Sequence, residues 1–180
     1  MPTLIYLARL ISLIFIMLCG NSLAQTNEQK ITGYQLSAGD SISIHVFGQD
    51  DLTVTAKLDD KGLINYPFIG SVKITGKTTE QIQQEISSKL KQGYLVSPQV
   101  HVFVAEYRPF YVHGQVKRPG GFAYQPGLTV AMAIALAGGL TERASSSWFI
   151  KRATITAEFE VTELDLLYPG DILTVKQSFF

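Results

Sequence analysis

Paired acids can hydrolyse a glycosidic bond, so the carboxylates are the first residues to weigh. Asp50-Asp51 and Asp59-Asp60 are adjacent acid pairs. A glycosidase needs two carboxyls that converge across one sugar from separated places. Neighbouring residues on a strand point to opposite faces instead, so both pairs read as solvated turns. Glu106, Glu158, Glu160 and Glu163 carry no mark of a perturbed environment. The chain has no Gly-x-Ser-x-Gly elbow, no His-Glu-x-x-His and no phosphate-binding loop. A metal site would need more ligands near the three histidines. His101 and His113 interrupt apolar strands and are expected to be half-buried and hydrogen-bonded, while His45, between Ile44 and Val46, faces outward. No catalytic, cofactor-binding or metal-binding residue is assigned, and the chain is read as a non-enzyme.

Carbohydrate contact is the chemistry that the side chains do allow. Sugars present flat C–H faces and many hydroxyls, so their sites pair exposed aromatics with planar polar groups. Tyr107, Tyr111, His113, Arg118, Tyr124 and Trp148 are the candidates, either for glycan or for a neighbouring subunit. Tyr111, His113 and Gln115 share one strand face by alternation, with Phe110, Val112 and Val116 on the core side. Tyr and Trp are enriched at protein interfaces for the same amphipathic reason, and subunit contact is the preferred reading for most of the six.

The elements that must position these residues follow from periodicity. Ile42, Ile44 and Val46 alternate as a half-buried strand after a Gly39-Asp40 turn. Val54–Leu58, Leu63–Phe68 and Ser71–Ile74 are further short strands, with Asp59-Asp60-Lys61-Gly62 as a turn. Thr78–Gln92 is the clearest helix: Thr78 and Gln81 have capping-box spacing, Ile82, Ile86 and Leu90 share one face, and Gly93 stops it. Val100, Val102 and Val104 alternate as a strand. After Arg108-Pro109 come a strand at Phe110–Val116, a turn at Lys117–Gly121 and a short apolar helix at Val130–Ala137 capped by Thr129. Strands at Trp148–Arg152, Thr154–Val161 and Ile172–Val175 complete the chain. The fold class is α+β, in two small domains that each have a mixed β-sheet and one main helix. Gly39-Asp40 and Gly170-Asp171 each precede a strand, an echo that good turn chemistry explains without duplication.

Fifteen Lys+Arg balance fifteen Asp+Glu in 180 residues, which argues against a nucleic-acid partner. Arg9, the apolar run Leu10–Cys19 and the small residues Ser22 and Ala24 form a secretory signal at residues 1–24, with cleavage between Ala24 and Gln25. Removing it takes away Arg9 and Cys19 and leaves a net charge of −1. Leu18, where a small residue is usual, makes lipidation at Cys19 a minority option. Residues 25–33 are a polar leader, 34–106 the first unit and 107–180 the second.

In order, Gly39-Asp40-x-Ile42, Asp60-Lys61-Gly62, Tyr66-Pro67-Phe68-Ile69-Gly70, Gly76-Lys77-Thr78-Thr79-Glu80 and Pro98-Gln99-Val100-x-Val102 resemble the N-terminal domain of the outer-membrane polysaccharide export family. Gly114-Gln115-Val116-x-x-Pro119-Gly120, Ala137-Gly138-Gly139-Leu140-Thr141 and Pro169-Gly170-Asp171 resemble the SLBB (soluble ligand-binding β-grasp) domain that follows it. The resemblance spans about residues 34–175, nearly all of the chain after the signal.

The resemblance implies a β-grasp-like second domain and a periplasmic, outer-membrane-associated part of a capsule or exopolysaccharide export machine. The implied partners are the polysaccharide, further copies in a homo-oligomeric ring, an inner-membrane chain-length regulator or tyrosine kinase, and a separate outer-membrane barrel. It also departs from larger members, with one SLBB-like unit and no amphipathic helix after it, so this chain is not expected to form a pore alone. Phe179-Phe180 reads as a strand end or a contact. The competing class is a monomeric glycan-binding module built on Tyr111, and a secreted hydrolase is the third.

Overall fold

The computed structural model describes residues 33–153, 155 and 157–178. The expected signal peptide, the cleavage point at Ala24 and Gln25, Cys19, nearly all of the leader, and Phe179-Phe180 lie outside these residues. Among the described residues no helix is long and apolar enough to cross a membrane.

Strand β1 (Ser41–Val46) has the span its alternation predicts, with Ile42, Ile44 and Val46 buried and His45 exposed. It is the centre of a three-stranded antiparallel sheet, between β2 (Val54–Lys57) and β5 (Val100–Glu106). A short 3-10 turn, Asp50–Leu52, precedes β2. β3 (Leu63–Tyr66) and β4 (Gly70–Lys73) form a separate hairpin. Helix α1 (Thr79–Leu90) packs on β5. Its capping box is complete: the Gln81 backbone N–H donates to Thr78 Oγ1 and the Thr78 N–H donates to Gln81 Oε1. Ile82, Ile86 and Leu90 enter one apolar cluster with Ile42, Ile44 and Val72.

The second half builds a five-stranded sheet in the order β7-β6-β10-β8-β9, from β6 (Phe110–Gly114), β7 (Gly120–Phe122), β8 (Ala144–Lys151), β9 (Phe159–Val161) and β10 (Ile172–Gln177). β6 and β10 run parallel and the other pairs antiparallel, so the mixed pairing belongs to this sheet. Helix α2 (Val130–Leu136) starts at Thr129, whose hydroxyl accepts from the Met132 N–H. It buries Val130, Ala133 and Ile134 in a second apolar cluster with Phe110, Ile150 and Leu173. The architecture is α+β, with one main helix for each cluster.

Two local expectations are corrected. Gly120 and Gly121, read as the end of a turn, belong with Phe122 to strand β7, because Phe110 and Val112 of β6 supply partners for Phe122 and Gly120. His101 and His113 are exposed rather than half-buried, because their strands turn those positions away from the clusters.

Candidate functional site

The six aromatic and polar candidates do not form one site. Tyr124 and Trp148 are buried in the second cluster, and the Trp148 indole N–H donates to the Ser145 carbonyl at 3.1 Å. Arg118 donates to the Leu136 carbonyl at 2.9 Å, at the end of α2. Tyr111 and His113 are exposed along the open face of β6, where His113 Nε2 lies 3.1 Å from the Thr174 hydroxyl. Tyr107 is half-buried, its ring edge-on to Tyr34 at 5.1 Å and to Tyr124 at 5.4 Å.

Tyr107 leads to the arrangement that the aromatic search missed. Tyr34, Tyr107 and Tyr124 form a ladder of rings from the first cluster to the second. Beside it lies Asp40, fully buried. Its Oδ2 accepts from the Tyr34 hydroxyl at 2.6 Å, the Ser37 N–H at 2.9 Å and Arg108 Nη1 at 3.1 Å, and its Oδ1 accepts from the Arg108 N–H at 2.8 Å. The Arg108 guanidinium also donates to the Tyr34 oxygen at 2.8 Å. One carboxylate in the first half thus holds both backbone and side chain of the residue that opens the second.

The Gly-Asp echo repeats this device. Asp171, also fully buried, accepts from Arg152 Nε at 2.8 Å and Nη2 at 2.7 Å in a bidentate pair, and from the Tyr168 N–H at 2.9 Å. In both turns the carboxylate takes the N–H three residues earlier, an arginine closes the other side, and a tyrosine ring lies under the guanidinium: Tyr34 at 5.8 Å and Tyr168 at 4.3 Å. The two turns meet at Arg108. A Cβ on Gly170 would sit 2.7 Å from Arg108 Nε, and one on Gly39 would sit 3.2 Å from Arg108 Cβ. Both glycines have positive φ, +84° and +92°, which side chains rarely adopt.

The electrostatics describe a brace. Burial, and then the bond to Asp40, push the Tyr34 hydroxyl far above its ordinary pKa. Burial pushes Tyr124 up to about 12 and raises Tyr107 as well. The bond to Asp171 raises Arg152 further. Neutral tyrosines and arginine–carboxylate pairs with committed hydrogen bonds offer no nucleophile and no poised base. Among the described residues, no group of three or more His, Cys, Asp or Glu side chains is placed to hold a metal ion.

Comparison with known proteins divides the chain at the same point. Residues 28–105 match the polysaccharide biosynthesis/export protein model and residues 109–153 match the SLBB domain model. The chain is similar to the exopolysaccharide production protein ExoF of Rhizobium meliloti, with 39% identity over 101 residues, 55% of this chain and 24% of that protein. It is 29% identical over 127 residues to the polysialic acid transport protein KpsD of Escherichia coli, covering 69% of this chain and 20% of that protein. It is 26% identical to the EPS I polysaccharide export outer membrane protein EpsA of Ralstonia nicotianae, covering 82% of this chain and 48% of that protein. The matched part therefore spans between a fifth and a half of these relatives. The chain thus carries a polysaccharide biosynthesis/export domain followed by an SLBB domain, and the relatives it is similar to are polysaccharide production, transport and export proteins.

Proposed function

We propose that this protein is a structural component of a capsule or exopolysaccharide export machine, placed in the periplasm against the outer membrane and repeated as a homo-oligomeric ring around the polymer's path. It carries out no chemistry of its own. Its partners are the polysaccharide, an inner-membrane chain-length regulator or tyrosine kinase, and a separate outer-membrane barrel. Its working units are residues 34–106 and 107–180, after a signal at 1–24. The observation that carries this reading is the brace at Arg108, which ties an export domain to an SLBB domain through a buried carboxylate and a ring ladder. A subunit that bears load in an assembly needs two units that move as one, and it needs no reactive group. Deletion of the gene is expected to abolish surface polysaccharide while intracellular repeat-unit synthesis continues. Normal surface polymer in the deletion strain overturns the reading.

A monomeric glycan-binding module is the second reading, favoured by the 47% exposure of Tyr111 beside His113 on an open sheet face. Calorimetry with the purified polysaccharide on wild type and Tyr111→Ala separates the two. Tight binding by a monomer that is lost in Tyr111→Ala favours the module.

A further inference from the structure

Among the exposed apolar side chains of the described residues, two groups differ in shape and charge. The first belongs to α2. Its sequence, Val-Ala-Met-Ala-Ile-Ala-Leu, has no polar side chain, and a helix that is apolar all round is normally buried all round. Yet Ala131, Met132, Ala135 and Leu136 face solvent. The Ala131 N–H donates to the Glu163 carbonyl and the Val130 N–H to the Asp165 carbonyl, which sets Leu164, 84% exposed, beside the first turn.

The second surface is aromatic and protrudes. Phe68, at the tip of the β3–β4 hairpin, is the one described non-glycine residue with positive φ, at +65°, and is 65% exposed. The Ile69 N–H bonds back to the Pro67 carbonyl across it, a tight and strained turn for a bulky side chain. Its ring meets Tyr94 at 5.3 Å, and Val96, two residues further on, is 99% exposed. A glycine would fit the turn without strain, so the phenyl ring is held there against a local cost, and within the chain its one ring contact, with Tyr94, leaves it 65% exposed.

The two surfaces match. Each presents three large exposed apolar side chains, Phe68, Tyr94 and Val96 on one and Met132, Leu136 and Leu164 on the other, and aromatic and Met side chains are the types enriched at the core of protein interfaces. Their charges are opposite. Between Asp60 and Glu80 the hairpin segment carries Lys61, Lys73 and Lys77, and between Glu85 and Glu106 the Tyr94 segment carries Lys89 and Lys91; Lys77 and Lys89 both pair with Glu85, so Lys61, Lys73 and Lys91 carry the positive excess. The Leu164 segment carries Glu158, Glu160, Glu163 and Asp165 and no base between Arg152 and Lys176, so the acid gathers at the start of α2, while Arg118 sits at its other end. Two different complementary patches on one chain are what a head-to-tail interface between identical copies requires.

We infer that the Phe68–Tyr94 pair of one copy seats on the α2 face and Leu164 of the next. The inference rests on the ring reading above and names the contact that would build it. The test is sedimentation velocity on the full chain, exported with its own N-terminus, as wild type, Phe68→Asp, Leu136→Glu and a one-to-one mixture of the two variants. Wild type is expected to assemble beyond a dimer. Each variant alone should need at least tenfold more protein to assemble. The mixture should give dimers and nothing larger, because one intact contact remains between a Phe68→Asp copy and a Leu136→Glu copy. Phe68→Gly controls for folding: relief of strain should raise the melting temperature while assembly still weakens. If the variants, Phe68→Gly included, assemble like wild type, this contact is wrong and the ring reading stands. If the mixture stays monomeric while each variant is monomeric, the head-to-tail pairing is wrong. A wild type that is monomeric at every concentration overturns both the contact and the ring.

Discussion

The two Gly-Asp turns are built alike and used differently. Asp171 closes on Arg152, at the end of the neighbouring strand β8, so its bonds stay within the second cluster's own sheet. Asp40 closes on Arg108, 68 residues away, so the same device becomes a tie between halves of the chain. The difference teaches that a buried carboxylate stabilises whatever its arginine belongs to. Where the arginine sits on the same sheet the result is a stiffer unit, and where it sits in the connection the result is coupling.

The largest effect should come from Asp171→Ala. It strips a partly buried guanidinium of its bidentate partner and leaves the Tyr168 N–H without an acceptor, and breaking a buried pair in this way costs about 3–5 kcal/mol. Differential scanning calorimetry should show a lower melting temperature in a single transition. Asp40→Ala should cost about 3 kcal/mol by the same mechanism, but with a distinct signature, because loss of the tie splits the calorimetric peak in two. A single unsplit peak in Asp40→Ala would remove the distinction between the turns.

Gly170→Ala should cost about 1–2 kcal/mol, from positive φ and the 2.7 Å approach to Arg108 Nε. Gly39→Ala, with a looser 3.2 Å approach, should cost nearer 1 kcal/mol. Urea unfolding midpoints rank the pair, and the reverse order would mean that Arg108 leans on the first turn rather than the second.

The smallest effect at neutral pH is Tyr34→Phe, which loses hydrogen bonds to Asp40 and Arg108 for about 1 kcal/mol. Its use is in alkali. Tyr34 and Tyr124 have raised pKa values in the folded chain, while an unfolded tyrosine ionises near about 10. Their contribution is therefore complete below about pH 10 and is lost as pH rises through the folded values. Urea midpoints should fall above about pH 10 in wild type and fall less steeply in Tyr34→Phe.

Much of the fold was legible because its signals are local. The alternation of Ile42, Ile44 and Val46 sets β1, and Thr78 with Gln81 sets the start of α1, since a cap and its partner lie within one turn. β7 was missed because Gly120 and Gly121 carry no side-chain pattern and the strand exists only through its ladder to β6. The brace was half visible. The Gly-Asp echo stood in the sequence, but Arg108 read as punctuation before Pro109, and no local rule joins it to a carboxylate 68 residues earlier. The aromatic candidates divided for the same reason: type and spacing mark Tyr107, Tyr111, Tyr124 and Trp148 equally, and only burial separates a ladder rung or a core ring from an exposed face.

The sheet order β7-β6-β10-β8-β9 has a consequence in time. β10 occupies the centre of its sheet, parallel to β6 on one side and antiparallel to β8 on the other. It is also the last described strand to leave the ribosome or a translocation pore. Until residues 172–177 emerge, β6 and β8 each present an unpaired inner edge, the kind of edge that recruits stray strands. The first sheet needs nothing beyond β5 to be complete. The chain can therefore finish its first half early, while its second half closes in one late step, and in that interval a chaperone or a neighbouring copy has the most to bind.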